Sequence, residues 1–210
     1  MTISNNGETQ ILDEIFNAGA GTFPSADPYV ALHSAAPGET GANEVTGGSY
    51  ARQQTAFGAA SGNTLSNTPA ITFSGMPAGD VVGWSIWDSA SSGACFWTGL
   101  FSVTSRVFTC DAGDITGDTL TSPAHGFAND SRIILEDVEA ETIPTDFSYT
   151  TFYWVVGTAT DTFQLSTSQG GGAVNVTDKG AGIARLCVIT TLTAGNTFTI
   201  AAGDLDIYID

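Results

Sequence analysis

Two histidines, three cysteines and 22 acids are the side chains of this 210-residue chain with the means to do chemistry. His33 ends the apolar run Tyr29-Val-Ala-Leu-His33 and reads as a hydrogen-bonded structural histidine, not as a base or a ligand. His125-Gly126 stands in a turn context and reads the same way. Neither histidine has a triad-like arrangement, and there is no His pair for a metalloprotease-type zinc site. Cys95, Cys110 and Cys187 are odd in number and lack C-x-x-C spacing, so neither a disulfide framework nor a zinc site is expected. Asp111, Asp114 and Asp118 depart from the alternating-aspartate pattern of an EF-hand loop and are expected to be solvated turn residues. Asp204 and Asp206 flank Leu205, so as strand residues they share a face. Such a pair suits glycoside hydrolysis only when its carboxyls sit about 5–9 Å apart beside a sugar cleft. Nothing in the sequence singles this pair out from the other acids. Gly170-Gly-Gly172 lacks the following Lys-Ser/Thr of a phosphate loop and reads as a plain loop. The expectation is therefore a non-enzyme with no catalytic, cofactor-binding or metal-ligating residue and no cofactor.

The charge balance narrows the partners. The formal net charge is −17, and the five basic residues, at positions 52, 106, 132, 179 and 185, are too scattered to form a phosphate-binding stripe. A nucleic-acid partner is not expected. Twelve Phe, four Trp and five Tyr supply enough apolar surface for an ordered core. No stretch approaches the roughly 18 apolar residues of a membrane span. The opening MTISNNGETQ has no basic region and no apolar run, so no export leader and no membrane partner are expected. With reduced thiols buried as small apolar groups, the chain fits synthesis in a reducing cytoplasm.

Short strands dominate the pattern. The one helical signal is Glu8–Ala18, where Ile11, Leu12, Ile15 and Phe16 share a face. Strand signals follow at Tyr29–His33, Tyr50–Phe57, Ala70–Phe73, Val81–Trp87 and Cys95–Val103, with a glycine-rich loop over Ala35–Gly48. They resume at Val188–Leu192, Thr197–Ala201 and Leu205–Ile209. Between them lies a second set: Asp118–Ser122, Arg132–Leu135, Thr151–Val156, Thr162–Ser166 and Ala173–Val176. The spacing predicts an all-β chain: a jelly-roll-like β-sandwich with a short N-terminal helix and an inserted small β-barrel or sandwich. The outer domain is expected over 1–105 plus 187–210 and the insert over 106–186, where a loop's ends come close together. Entry and exit strands side by side would bring Cys110 near Cys187. Trp84 and Trp87, three apart on a strand, face opposite ways. Each is a core residue or, where exposed, an interface anchor.

The outer segments resemble a family of small tailed-phage virion proteins of the tail-fibre-like type. The likeness rests on Tyr29-Val-Ala-Leu-His33, Pro37-Gly-Glu-Thr-Gly41, Asn43-Glu-Val-Thr-Gly-Gly-Ser-Tyr-Ala-Arg52, Thr68-Pro-Ala-Ile-Thr-Phe73, Val82-Gly-Trp-Ser-Ile-Trp-Asp88 and the segment Thr193–Ile207. The centre is similar to a separate β-module of phage structural proteins, through Asp118-Thr-Leu-Thr-Ser-Pro-Ala-His-Gly-Phe127, Phe152-Tyr-Trp-Val-Val156 and Asp161-Thr-Phe-Gln-Leu-Ser166. That module carries a Gly-Asp turn after its His-Gly; here Asn129-Asp130 stands there.

The resemblance implies a structural virion protein. Its first reading is a capsid-exterior decoration (cement) protein that binds the major capsid protein as a homo-oligomer, a trimer above other symmetries. The alternative is a tail-fibre or tail-tip component contacting the host surface, and a hydrolase is the third. Half of the acids fall in the central segment, with a cluster at Glu136, Asp137, Glu139 and Glu141. The outer scaffold is accordingly expected to be closer to neutral and to face the virion, with the charged insert facing solvent.

Overall fold

The computed structural model describes residues 28–138 and 141–208. The helix expected over Glu8–Ala18 lies outside them. The chain is all-β, and it divides into two compact units: Met1–Gly99 with Thr191–Asp210, and Leu100–Thr190.

In the first unit, β1 (Tyr29–His33) explains its own composition. Its run of apolar residues is not alternating because the strand is covered on both faces. It pairs antiparallel with β2 (Gln53–Gln54) on one side and with β6 (Gly83–Trp87) on the other, and β7 (Cys95–Leu100) completes a four-stranded sheet in the order β2-β1-β6-β7. Val30, Leu32 and Ile86 are fully buried on one face. Ala31, His33, Ser85 and Trp87 project from the other, beneath the 35–48 loop.

The rest of this unit is one long antiparallel ribbon broken into three ladders. Here β3 (Thr64–Ser66), β4 (Ile71–Phe73) and β5 (Gly79–Val81) run against β16 (Asp206–Tyr208), β15 (Phe198–Ile200) and β14 (Thr190–Leu192). Leu65, Ile71, Phe73, Leu192, Ile200 and Ile207 point inward, with hydroxyls and carboxylates outward in alternation. Where the first two ladders meet, the buried Asn67 side chain replaces the missing ladder. Its amide donates to the carbonyls of Pro69 and Ala201, and its oxygen accepts the Leu205 N–H.

The second unit is a closed six-stranded barrel. Its strands are β8 (Ser102–Cys110), β9 (Leu120–Thr121), β10 (Arg132–Glu136), β11 (Tyr153–Val156), β12 (Thr162–Ser166) and β13 (Gly180–Cys187), in the order β10-β11-β12-β9-β8-β13. Phe108, Leu120, Phe127, Ile133, Leu135, Val155 and Phe163 fill the interior. Phe163 meets Phe127 and Phe108 edge-on, with ring centroids 5.3 and 6.4 Å away, contacts worth about 0.5–1.5 kcal/mol each beyond burial.

Three expectations about strands and cysteines need correction. Ala173–Val176 is not a strand, since its amides go elsewhere: Val174 N–H to the Leu165 carbonyl and Val176 N–H to the Asp118 carboxylate. Of Tyr50–Phe57 only Gln53–Gln54 is ladder, because Tyr50 and Arg52 turn their side chains to the neighbouring loop. That loop holds a single 3-10 turn, Gly38–Thr40, too short to leave a period. Cys110 and Cys187 are not neighbours. β8 and β13 do run side by side, but antiparallel pairing sets Cys110 opposite Gly180 and Cys187 opposite Ser102, at the two ends of the ladder. All three thiols are free. Burial pushes Cys110 up to about 11 and Cys187 up to about 12, so both stay protonated at neutral pH.

The charge distribution differs from expectation as well. The barrel unit carries eleven acids against four basic residues, net −7; the other unit carries eleven against Arg52 alone, net −10. The outer scaffold is the more acidic part.

Ser105 and Arg185 are cross-strand partners in β8 and β13, so the barrel can be excised there. Replacing 106–184 by an Asn-Gly turn, which suits a two-residue hairpin, is expected to leave an outer unit that unfolds cooperatively, checked by near-UV circular dichroism and thermal melting. A product without a cooperative transition would mean that the two parts share one core.

Candidate functional site

The polar residues with chemical potential converge beneath the loop that follows β1. His33 is fully buried. Its Nδ1 lies 2.6 Å from the Ala42 carbonyl, which can only accept, so Nδ1 carries the proton. Nε2 lies 2.6 Å from Ser85 Oγ, and the indole Nε1–H of Trp87 donates to the same oxygen at 2.6 Å. Burial holds the His33 ring below its ordinary value of 6.5, with the Ala42 hydrogen bond and Glu44 pulling the other way. In the neutral ring that burial favours, Nε2 accepts the Ser85 hydroxyl.

A serine hydroxyl donating to an imidazole is the first step of nucleophile activation. Three features set this pair apart from a hydrolase. Ser85 is fully buried, its oxygen already accepts the Trp87 indole, and the position a triad gives to a carboxylate is held by a backbone carbonyl. The geometry instead ties the loop at Ala42 to the sheet at Ser85.

Arg52 ties the same loop from outside. Its Nε and Nη2 form a bidentate pair with Glu44 at 3.0 and 2.8 Å, and its Nη1 donates to the carbonyls of Ser89 and Ser92 at 3.1 and 2.7 Å. The guanidinium lies 3.6 Å from the centroid of a Trp87 ring. With the arginine side chain 7% exposed and that of Glu44 24%, the pair is largely withdrawn from water, where charge-assisted bonds are strong and loss of one partner is costly. Tyr50 adds a third tie: its hydroxyl accepts the Leu32 N–H at 2.9 Å and donates to Glu44 at 3.2 Å. Burial raises its pKa well above the usual tyrosine value.

The loop is shaped to fit. Gly41 has φ +67°, and a Cβ there would run into the Trp87 indole and the Cys95 sulfur. Asn43, also left-handed, donates its amide to the Ala36 carbonyl.

The other sequence candidates are structural too. Trp87 is buried in this network and Trp84 is half-buried with its indole against Gly99, so neither is an exposed anchor. Asp206 accepts from Ser66 Oγ at 2.5 Å on the exposed face of the ribbon, and Asp204 stands in the adjoining turn. In the barrel, His125 has the opposite tautomer to His33. Its Nε2 sits 3.0 and 3.1 Å from the Ala159 and Thr162 carbonyls and so is protonated, while Nδ1 accepts the Phe127 N–H. Its ring packs against Phe127 and Phe163. Asp114 accepts from the Asp111 N–H and from Thr119 and Thr121, and Asp118 from Val176 N–H, so these carboxylates organise turns. Asp146 and Asp178 answer each other, receiving bonds from Thr177 and Thr145. Glu136 forms a bidentate pair with Arg185. Asp130 makes the Asn129-Asp130 turn with φ +66°, a conformation that aspartate tolerates. Among the described residues no group of three or more His, Cys, Asp or Glu is placed to hold a metal ion.

Sequence reasoning missed Ser85, Arg52, Glu44 and Tyr50 as one cluster. The available signal was Arg52 itself, the sole basic residue among the outer segments.

Among the described residues, the polar side chains considered above are engaged in fixing loops and turns. Comparison with known families gives the class of the chain: residues 2–122 match the family described as podophage GP4 fiber I protein gp80. The chain belongs to this family, and it is a structural protein of the bacteriophage virion. No curated protein matches it.

Gly41→Ala is expected to displace Trp87 from beneath Arg52 and to destabilise the protein by about 2 kcal/mol or more, through the strained φ and the clash together. Urea unfolding checks this; wild-type stability would show that the loop does not seat on Trp87.

Proposed function

We propose that the protein is a non-enzymatic component of the phage tail, a fibre or tail-tip subunit that meets the host surface. The observation that carries this is the fibre-family match across 2–122, which spans the whole loop-and-sheet network. A fibre subunit needs a surface that keeps its shape outside the cell. The buried ties at His33, Tyr50 and Arg52 supply that stiffness to the 35–48 loop. The capsid-decoration reading has no comparable support, and the orientation argument behind it loses its basis now that the outer unit carries net −10. The partners in this reading are other virion proteins and further copies of the same chain, with a trimer favoured; the chain takes its place in the virion during assembly in the host cytoplasm.

Copy number in purified particles tests it. A dozen or so copies per virion, with antibody label at the tail, is the expected result. Hundreds of copies distributed over the shell would overturn the tail assignment and restore decoration.

A further inference from the structure

The outer unit has a concavity that shares only Glu44 with the network around Arg52 and His33. A cleft of about 200 Å³ lies between the loop, at Ser34 and residues 44–46, and the ribbon, at residues 76–81. By the ~30 Å³ share of a water in the liquid, it has room for about six waters or one substituted six-membered ring. Its base is apolar, formed by the buried Val45, Met76 and Val81. Its rim is polar. The loop brings the Glu44 carboxylate, the ribbon brings that of Asp80, and the exposed Ser34 and Thr46 add hydroxyls.

The walls are fixed. Glu44 is held by Arg52 and Tyr50, and Asp80 accepts from Thr191 Oγ1 at 2.6 Å. Ser49 N–H on the Gly75 carbonyl and Met76 N–H on the Asn196 carbonyl, both at 2.9 Å, pin the segments beside the cleft. Gly48 lets the two backbones come this close, since a Cβ there would run into the Gly75 carbonyl. A site formed in advance loses little freedom on binding.

The lining decides the ligand. Among the described residues that form the cleft none is basic, so an anion finds no counter-charge. A hard cation such as calcium takes about six to eight oxygens, and no group of three or more His, Cys, Asp or Glu among the described residues is placed to hold one. Carboxylate oxygens accept hydrogen bonds, so the ligand needs donors round its edge. The buried aliphatic base needs an apolar face, the usual division of labour in a small-molecule site. A pyranose offers both, with C–H groups on its face and hydroxyls round its rim.

We propose that this cleft binds one uncharged pyranose residue of a surface glycan, with its hydroxyls on Glu44 and Asp80 and its C–H face on Val45, Met76 and Val81. That the sugar belongs to a host surface rests on the tail reading above; the site itself rests on the cleft.

Nuclear magnetic resonance on the intact, isotope-labelled protein tests this. The probes are D-glucose, D-galactose, D-mannose, N-acetyl-D-glucosamine and L-rhamnose, with methylammonium as the cationic control. At least one sugar is expected to shift the amides of Val45, Thr46 and Gly79 saturably, with a Kd on the order of 1 mM. The barrel amides of Phe127 and Val155 should stay in place. Asp80→Asn is expected to weaken the binding about tenfold with an unchanged thermal melt, and the wild-type mapping needs no variant. No saturable shift with any of the sugars, shifts centred outside the cleft, equal affinity in Asp80→Asn, or saturation by methylammonium alone would each overturn the proposal. A tail location without sugar binding strikes the site and leaves the tail assignment. Sugar binding by a protein spread over the shell does the reverse.

Discussion

The guanidinium of Arg52 is the contact on which the outer unit depends. It joins three stretches of chain: the loop through Glu44, the β6–β7 connection through the Ser89 and Ser92 carbonyls, and the sheet through the face of Trp87. Its donors are directed at fixed acceptors in a largely dehydrated setting, and a lysine could not reproduce that fork. Trp87 is in turn held flat by Ser85, Ser85 by His33, and Gly41 leaves the space the indole occupies. The polar face of the sheet is therefore as completely packed as its apolar face. One cation in a strongly acidic half of the chain is enough because its position is set by hydrogen bonds and stacking, not by bulk charge.

The barrel solves a similar problem with carboxylates. Its long connections carry few apolar residues, and their backbone N–H groups need acceptors where no strand supplies one. Asp118 accepts from Val176, Asp161 from Ala124, Asp146 from Thr177 and Asp178 from Thr145. Acidity that looked like a solvated or ion-binding surface in the sequence is largely turn chemistry in the structure, of the kind expected of aspartate.

Strands with an uninterrupted apolar run or clear alternation were legible, and β1 falls on its expected residues while β6, β11, β12 and β15 fall within theirs. The all-β class followed from them. What escaped was anything defined by side chains reaching across the chain. Ser85 and His33 lie 52 positions apart and Arg52 and Ser92 lie 40 apart, so no local pattern records them. Ala173–Val176 had strand composition, yet its amides were claimed by Asp118 and a neighbouring carbonyl. The cysteine pairing failed on register, which composition does not carry. The family resemblance pointed to the right stretches, 37–52 and 82–88, without showing that their shared task is to hold one loop.

The central claim is that the Arg52–Glu44 pair holds the loop to the sheet. A double-mutant cycle with Arg52→Met and Glu44→Gln, read by urea unfolding, measures it without the ambiguity of a single truncation. The account predicts a coupling energy of about 2 kcal/mol or more, well above the 0–1 kcal/mol of an exposed pair. Coupling within that exposed-pair range would contradict it.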